Sequence, residues 1–514
     1  MSVDTLRETF HINRVTPDKI QDFLTAQTYR PEITKAKEKI KSLPWTHLQN
    51  VCKRSIRQGK SPTYADGAGL ICIKPKNTNE MIVSLDDTDR IDESTKDEVS
   101  GQKLHRGDIV ITRSGSGTIG RASIFLAEEE VYTNDHLFIV RTDLADSHYT
   151  CGFLNTYWGQ RLLEAGISGS TGQLNLSNEH IKSITLYTPK DLAQKYIGDK
   201  VRQAERLRTW ANRLEEGIAV YYSALIENPL PSQVTWWAAK QNLDSYRINP
   251  KQYDPVVLDL LRQAEEGGTQ LQRLADLVGE RSIAGGATPK GAKYVDNGVF
   301  FARVQNVKPL RLDLSDAVYI DSSADEELKR SRCIPDDIIF TITGYPGTAS
   351  LVAEDNLPVN INQHSVRFNV KPDVDPAYVC AALNSKFIKY QVDRLAIGGT
   401  RDALDYPSVG RLLVPRLAPE IEQKIGDMAR NVGAGIRNAQ RLTNAAKLLV
   451  EALIEGDIDE AQLIDAEQSL QTGNDQLDRS ILNRLKTDGV DGSGHPLFAD
   501  LDQLFALIAE SQLA

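Results

Sequence analysis

Ile197-Gly198-Asp199 returns 228 residues later as Ile425-Gly426-Asp427, and each triplet sits near the start of a long apolar seam at helical spacing. In the later seam Ile421, Ile425, Met428, Val432, Gly435, Ala439, Leu442, Ala446, Leu449 and Leu453 alternate in steps of four and three, which is a heptad pattern. In the earlier one Ile197, Val201, Ala204, Leu207, Ala211, Leu214, Ile218, Tyr221 and Leu225 do the same, with one extra step of three at Ala204–Leu207. Such a stammer overwinds a coiled coil locally. Each seam predicts a helix of about 35 residues, roughly 50 Å long at 1.5 Å per residue. Two equivalent seams in one chain are best satisfied by packing on each other.

Working outward from the triplets, the whole chain repeats. Arg54-Ser55-Ile56 returns as Arg281-Ser282-Ile283, Gly107-Asp108-Ile109-Val110 as Asp336-Asp337-Ile338-Ile339, and Asn134-Asp135-His136 as Asn362-Gln363-His364. Ala224-Leu225-Ile226-Glu227 returns as Ala452-Leu453-Ile454-Glu455. One order at one offset, within a residue or so, means two copies of a single unit plus a C-terminal remainder. Ahead of each seam, short apolar runs punctuated by glycine and proline predict strands, among them 69–73, 108–112 and 136–140, then 299–304 and 337–342. One short helix is expected after them in each copy, near 149–164 and 376–395. The fold class expected is mixed α/β (α+β): two similar globular domains joined by two long antiparallel coiled-coil helices, a pseudo-twofold internal repeat with the domains at opposite ends of a rod.

The divisions expected are an N-terminal segment 1–43, a first domain 44–189, a central helix 190–228, a connector 229–264, a second domain 265–418, a C-terminal helix 419–456 and an acidic tail 457–514. At 514 residues the chain is too long for one ordinary domain. Its charge of −10 looks wrong for a nucleic-acid binder. From Gly456 onward, however, 12 acidic residues face 3 basic ones, a net of −9, so the body is almost neutral. Nucleic acid responds to local potential, which a neutral body can still make positive on one face. No apolar run has the length of a membrane span and the N-terminus carries no signal-peptide pattern. Five scattered cysteines argue against zinc and disulfides and suit a cytoplasmic protein.

Catalytic motifs are not what the sequence offers. Gly115-Ser116-Gly117-Thr118-Ile119-Gly120 satisfies GxGxxG, but a dinucleotide site needs a helix next, and Arg121-Ala122-Ser123-Ile124 reads as strand. Gly59-Lys60-Ser61 resembles the end of a P-loop, but Arg54 stands where glycine is required. His136 and His364 recur at equivalent positions and read as structural residues at a strand start. Better candidates for binding are the basic and polar turns. Arg54, Arg57, Lys60, Lys74, Lys76 and Arg113 flank turns and strands of the first copy, and Arg281, Lys290, Lys293, Arg303 and Lys308 those of the second. Ser170, Thr171, Gln173 and Asn175 lie on one polar loop, and Thr400 and Arg401 on its counterpart. Lysine and arginine neutralise phosphates, while arginine, glutamine, asparagine, serine and threonine can read base edges.

With the Gly59…Ser61-Pro62 and Gly286…Thr288-Pro289 turns, the Asp-Ile strands, Asn362-Gln363-His364, the Leu174-Asn175-Leu176 loop and the two terminal helices, residues 40–456 resemble type I restriction–modification specificity subunits. The resemblance implies a non-catalytic DNA-binding subunit in phage defence, whose two target-recognition domains each read half of a split duplex-DNA site. Its helices would hold two methyltransferase (M) subunits, which use S-adenosylmethionine. Restriction/translocase (R) subunits, where present, bring ATP and magnesium, and the chain itself binds no cofactor or metal. Half-site spacing then follows helix length, and target adenines leave the stack inside the partner enzymes. Two alternatives stand beside it: the specificity subunit of another methylation-linked defence system, and a coiled-coil assembly scaffold that never touches DNA.

Overall fold

Strands of the first copy form where β-branched and aromatic residues leave no face for water. In the computed structural model, β5 (Ile109–Thr112), β6 (Ala122–Ile124), β7 (Val131–Thr133) and β8 (Leu137–Val140) are buried along their whole length. The structure describes every residue except 1–13, 18–19, 21–25, 79–80, 116, 170–173, 228, 232–233, 244–248, 290–293, 399–401 and 514. Around these strands lie β1 (Trp45–His47), β2 (Arg57–Gln58), β3 (Leu70–Ile73), β4 (Asp89–Ile91) and β9 (Thr185–Tyr187). They form sheets of order β2-β8-β5-β6, β4-β3-β7 and β1-β9. All pairings are antiparallel except β3 with β7.

The second copy repeats these strands in the same orders and adds one hairpin. With β10 (Gln270–Arg273), β11 (Ala284–Gly285), β12 (Val299–Ala302), a hairpin of β13 (Val307–Lys308) and β14 (Arg311–Leu312), β15 (Tyr319–Ile320), β16 (Ile338–Thr341), β17 (Ala349–Leu351), β18 (Val359–Ile361), β19 (Ser365–Phe368) and β20 (Leu413–Arg416), the orders are β11-β19-β16-β17, β15-β12-β18 and β10-β20. Again the parallel pair is the equivalent one, β12 with β18. The turn into the central strand also repeats: Gly107 has φ +91° and its counterpart Asp336 φ +63°, so the second copy holds a non-glycine residue in the left-handed region.

Helices follow the same duplication. The first copy carries α1 (Pro31–Lys41), α2 (Ser147–Leu154), α3 (Tyr157–Glu164) and α4 (Asn178–Ser183) before the long α5 (Asp191–Ser223). The second carries α6 (Pro255–Glu266), the short α7 (Leu274–Leu277) and α8 (Ser322–Glu327), then α9 (Pro376–Leu383), α10 (Lys386–Leu395), α11 (Tyr406–Gly410) and the long α12 (Pro419–Glu455). The single helix expected near 149–164 is thus two helices, and so is that near 376–395. The break falls where Thr156 and Ser385 cap α3 and α10, their hydroxyls accepting from the Gly159 and Ile388 amides. A side chain on Gly159 would lie 2.2 Å from the Phe153 carbonyl, so the turn between α2 and α3 is closely packed.

The opening triplets now have a physical reason. Asp146 and Asp375 cap α2 and α9. Gly198 and Gly426 leave room for those carboxylates, which a Cβ would meet at 2.5 and 2.0 Å. Four residues on, Arg202 pairs with Asp146, and Arg430 with Asp375 at 2.5 Å. Each long helix is therefore fastened to its own sheet domain by a glycine, an arginine and a capping aspartate.

The chain divides into two compact units, and the division falls inside the long helices. One unit holds residues up to Leu207 together with Asn438–Leu513, and the other Arg208–Arg437. Within the second unit the helices run antiparallel: the Lys424 ammonium lies 5.8 Å from the Tyr221 ring, Met428 faces Gly217, and Gly435 faces Trp210 and Ala211. The seam residues Ala211, Ile218, Ile425 and Val432 are buried here in one core with strands β16 and β19. In the first unit Ile197, Val201, Ala204 and Leu207 are fully buried, as are Ala439, Leu442, Ala446 and Leu449.

The acidic segment after Glu455 is folded. It forms α13 (Glu460–Gln471), α14 (Gln476–Arg484), a hairpin of β21 (Leu485–Lys486) and β22 (Gly489–Val490), and α15 (Leu501–Leu513). It packs on the start of α5 in the first unit. Lys200, fully buried, meets the buried Asp478 at 2.5 Å, and the Tyr196 hydroxyl donates to the same carboxylate at 2.7 Å. Lys195 bonds Glu467 at 2.6 Å, and Glu460 accepts the Lys190 amide at 3.0 Å.

Candidate nucleic-acid interface

In each copy the central strand ends where its antiparallel neighbour begins, and polar loops gather at that end. In the first copy β5 runs into Arg113 and Ser114, whose partners come from the start of β8. The Arg113 amide donates to the His136 carbonyl at 2.8 Å, and the Ser114 hydroxyl lies 2.5 Å from the His136 imidazole. The repeated histidine is thus a bonded strand-start residue, yet half exposed. Asn175 bridges to Ser114 and Ser168, closing the loop whose tip, Ser170, Thr171 and Gln173, lies outside the described residues. Gln102 receives the Lys60 amide at 2.7 Å, leaving the Lys60 side chain at the surface. Thr78, after β3, meets Thr112 at the end of β5 at 2.9 Å, which brings the Lys74–Lys76 turn to the same end.

Electrostatics sort these cations. Burial is the largest single influence on Lys74 and works against its charge, but the bonds and attraction of Asp89 and Tyr64 together outweigh it and hold its pKa above the usual lysine value. Lys74 also lies 3.8 Å from the Tyr64 ring, and Lys76 pairs with Asp87 at 3.0 Å. Arg57 is exposed on edge strand β2 opposite Ile139. Arg54 is separated from the others. It lines a cleft of about 390 Å³ at the opposite end of the sheet, with His105, Arg106, Asp108, Arg141 and Ser147.

In the second copy the corresponding end joins the β16 terminus, Gln363, His364 and the loop after α10. The Ile342 amide donates to the His364 carbonyl at 2.9 Å, the Leu404 amide to Ile342 at 2.8 Å, and Thr288 bonds Gln363. Tyr345 stands on the turn leaving β16, 83% exposed. Arg303 lies here too, paired with Asp316 at 2.9 Å. Lys290, Lys293, Thr400 and Arg401 lie outside the described residues. Lys308 sits in the β13–β14 hairpin, where its carbonyl accepts from Ser350 at 2.7 Å. That hairpin packs beside α12, with the Leu310 carbonyl 3.6 Å from where a Gly433 Cβ would be.

Arg281 is a structural arginine at the far end. It grips the fully buried Asp337 at 3.0 Å and the Arg332 carbonyl at 2.6 Å. The equivalent aspartate of the first copy, Asp108, is gripped instead by Arg141 from the end of β8. Where the first copy has Arg141 the second has Asn369, whose side-chain oxygen accepts the Arg281 amide at 2.9 Å. The same buried carboxylate is thus neutralised from different segments of the chain, just before β11 in one copy and just after β8 in the other. That exchange is why Arg54, at the position of Arg281, is left without a carboxylate partner among the described residues. Sequence reading saw both arginines but not the aspartates they compete for, which lie 56 residues away in the case of Arg281. It also passed over Tyr345, although an aromatic between Gly344 and Pro346-Gly347 is a visible signal of a presented side chain. Among the described residues no group of His, Cys, Asp and Glu is placed to hold a metal, and all five cysteines are buried and unpaired. No described helix is long and apolar enough to cross a membrane.

Each copy is one sheet domain with polar loops at one end, fastened at Asp146 or Asp375 to its own long helix. Residues 48–218 match the family described as Type I restriction modification DNA specificity domain. That match covers the first copy and its long helix, and the second copy repeats the strand order of the first. No curated protein matches the chain. Among solved structures, the type I S subunit from M. genitalium is similar over 80% of this chain and 96% of its own, at 12% identity and a TM-score of 0.40. The HsdS subunit from Thermoanaerobacter tengcongensis is similar over 81% of this chain and 98% of its own, at 13% identity and a TM-score of 0.26. A chain from a study of complex assembly and conformational transition of the type I R-M system matches over 82% and 96%, at 12% identity and a TM-score of 0.28.

Proposed function

We propose that each copy reads one half of a bipartite duplex-DNA target, and that catalysis belongs to partners. The observation that carries this is the shared frame with unlike loops. The same strand ends present Arg113, Ser114 and His136 in one copy, and Tyr345, Gln363 and His364 in the other. A common scaffold with different polar side chains at one edge is what two independent readers require. The exposed Lys60 and Arg57 supply phosphate contacts in the first copy, alongside the Asn175 loop. In this reading two methyltransferase subunits dock on the paired helices and use S-adenosylmethionine, and motor-nuclease subunits, where the system has them, use ATP and magnesium. The chain binds none of these cofactors and works in the cytoplasm.

The test is exchange of residues 44–189 for the same domain of a relative, followed by methylome sequencing of the host. One half of the modified motif changes and the other stays. Both halves changing, or neither, refutes independent reading. Salt-dependent binding of the purified chain to duplex DNA separates a reader from a scaffold.

A further inference from the structure

Tyr345 is held out by a loop that is itself pinned. The Thr341 hydroxyl donates to the Tyr345 carbonyl at 2.8 Å and accepts the Thr348 amide at 2.9 Å. Lys389 donates to the Pro346 carbonyl at 3.1 Å, and the Gly347 amide to the Thr341 carbonyl at 3.0 Å. Gly344 and Gly347 have φ of +84° and +100°, and a Cβ on Gly347 would press on Val392 at 3.1 Å, so the turn accepts glycine there and little else. Pro346 restricts the chain between them. Every one of these bonds holds backbone. No hydrogen bond or ring contact holds the phenol among the described residues, and the side chain is 83% exposed. The result is an apolar ring kept in water on a stiff support, beside the Gln363–His364 edge.

The first copy has no aromatic at this place: its turn contains Gly115, Gly117 and Thr118. A ring of this kind is costly to leave in water, and its flat face suits a nucleobase. In duplex DNA the base faces are covered by their neighbours, so such a ring stacks on a base by wedging into a base step, which favours steps that open readily and gains affinity without neutralising a phosphate. Because the loop is preset, little ordering entropy is lost when the ring is covered.

We propose that Tyr345 stacks on a base of the half-site read by the second copy, and so helps to set that half's sequence. This rests on the reading of the chain as a DNA reader. The full-length chain, with Y345A and Y345F, is used for selection from a randomised duplex library, followed by affinity measurement on the wild-type consensus at several salt concentrations. Wild type enriches a two-part motif. Y345A loses information in one part only and binds the consensus on the order of ten- to a hundredfold more weakly, with an unchanged salt slope. Y345F keeps the ring and behaves like wild type. If wild type enriches a motif and Y345A enriches the same one with equal affinity, the proposal is overturned while the reading stands. If wild type enriches nothing, the DNA reading itself falls. A salt slope that drops by about one in Y345A refutes stacking, because it marks a lost phosphate-linked contact. Unchanged DNA selection with lost binding of a methyltransferase subunit assigns the ring to a protein surface and also overturns the proposal.

Discussion

Asp478→Leu tests whether the C-terminal segment is part of the first unit or an appendage. The Lys200 and Asp478 side chains are 0% and 1% exposed, 2.5 Å apart, with Tyr196 as a third member. Removing one member of a buried ion pair leaves an uncompensated charge and costs about 3–5 kcal/mol. Replacing both with apolar groups costs little or stabilises. The protein itself supplies the replacement, since the position equivalent to Lys200 in the second copy is Met428. Lys200→Met and Asp478→Leu should each be destabilising, with Asp478→Leu the worse because it strands an ammonium deep in the fold. K200M/D478L together should regain most of the loss. The assay is urea denaturation with hydrogen exchange resolved over α5, so that the first unit is followed by itself. Single variants that unfold with the wild type, or a double variant whose loss is the sum of the singles, would refute the coupling and with it the view that α14 belongs to this core.

Other outcomes follow from the same geometry. Deleting residues 457–514 should expose Tyr196 and Lys200 and loosen the first half of α5, seen as faster exchange there, while leaving the bases read unchanged. Burial pushes His180 down to about 4, against the opposing pull of its bond to the Leu162 carbonyl. An unfolded imidazole titrates near ~6.5, so the unfolded chain takes up the proton first. The stability this residue contributes is complete above that pH and is lost as pH falls towards 4, by up to ~3 kcal/mol. The equivalent residue in the second copy is Ser408, so exchange at pH 4.5 should loosen the first copy's domain selectively. Arg281→Ala should destabilise the second copy by ~3 kcal/mol, because the fully buried Asp337 loses its partner. Arg54→Ala at the equivalent position should change urea stability by less than ~0.5 kcal/mol, since Asp108 keeps Arg141.

Much of this fold is visible in the chain as written. The strands announce themselves as apolar runs, and the long helices as seams that turn out buried at Ile197, Val201, Leu442 and Leu449. The seam is too narrow a description of α12, where Ala434, Ala445, Val450 and Ile454 are buried as well. The interruption between α2 and α3 escaped because apolar spacing runs on through it, although Thr156 and Ser385 at matched positions are legible caps. The C-terminal fold escaped because net charge dominated the reading, while Leu463, Ile481, Leu504 and Leu507 carry a buried face. Pairings such as Lys200 with Asp478 join residues 278 apart, and no local pattern in a single sequence encodes which acid meets which base.

Because each compact unit takes the beginning of one long helix and the end of the other, neither sequence repeat is a self-sufficient folding piece. A gene cut at residue 228 would give a first fragment with Ala211, Ile218 and Tyr222 uncovered, and a second fragment lacking the helix turns that shield Ile425 and Val432. Expressed together, the fragments should find each other as a split protein does. Expressed alone, each has an apolar stripe that only another molecule can satisfy, so its stability becomes a matter of concentration. Duplication in one chain removes that dilution penalty, and it lets the two heads diverge without losing their partner.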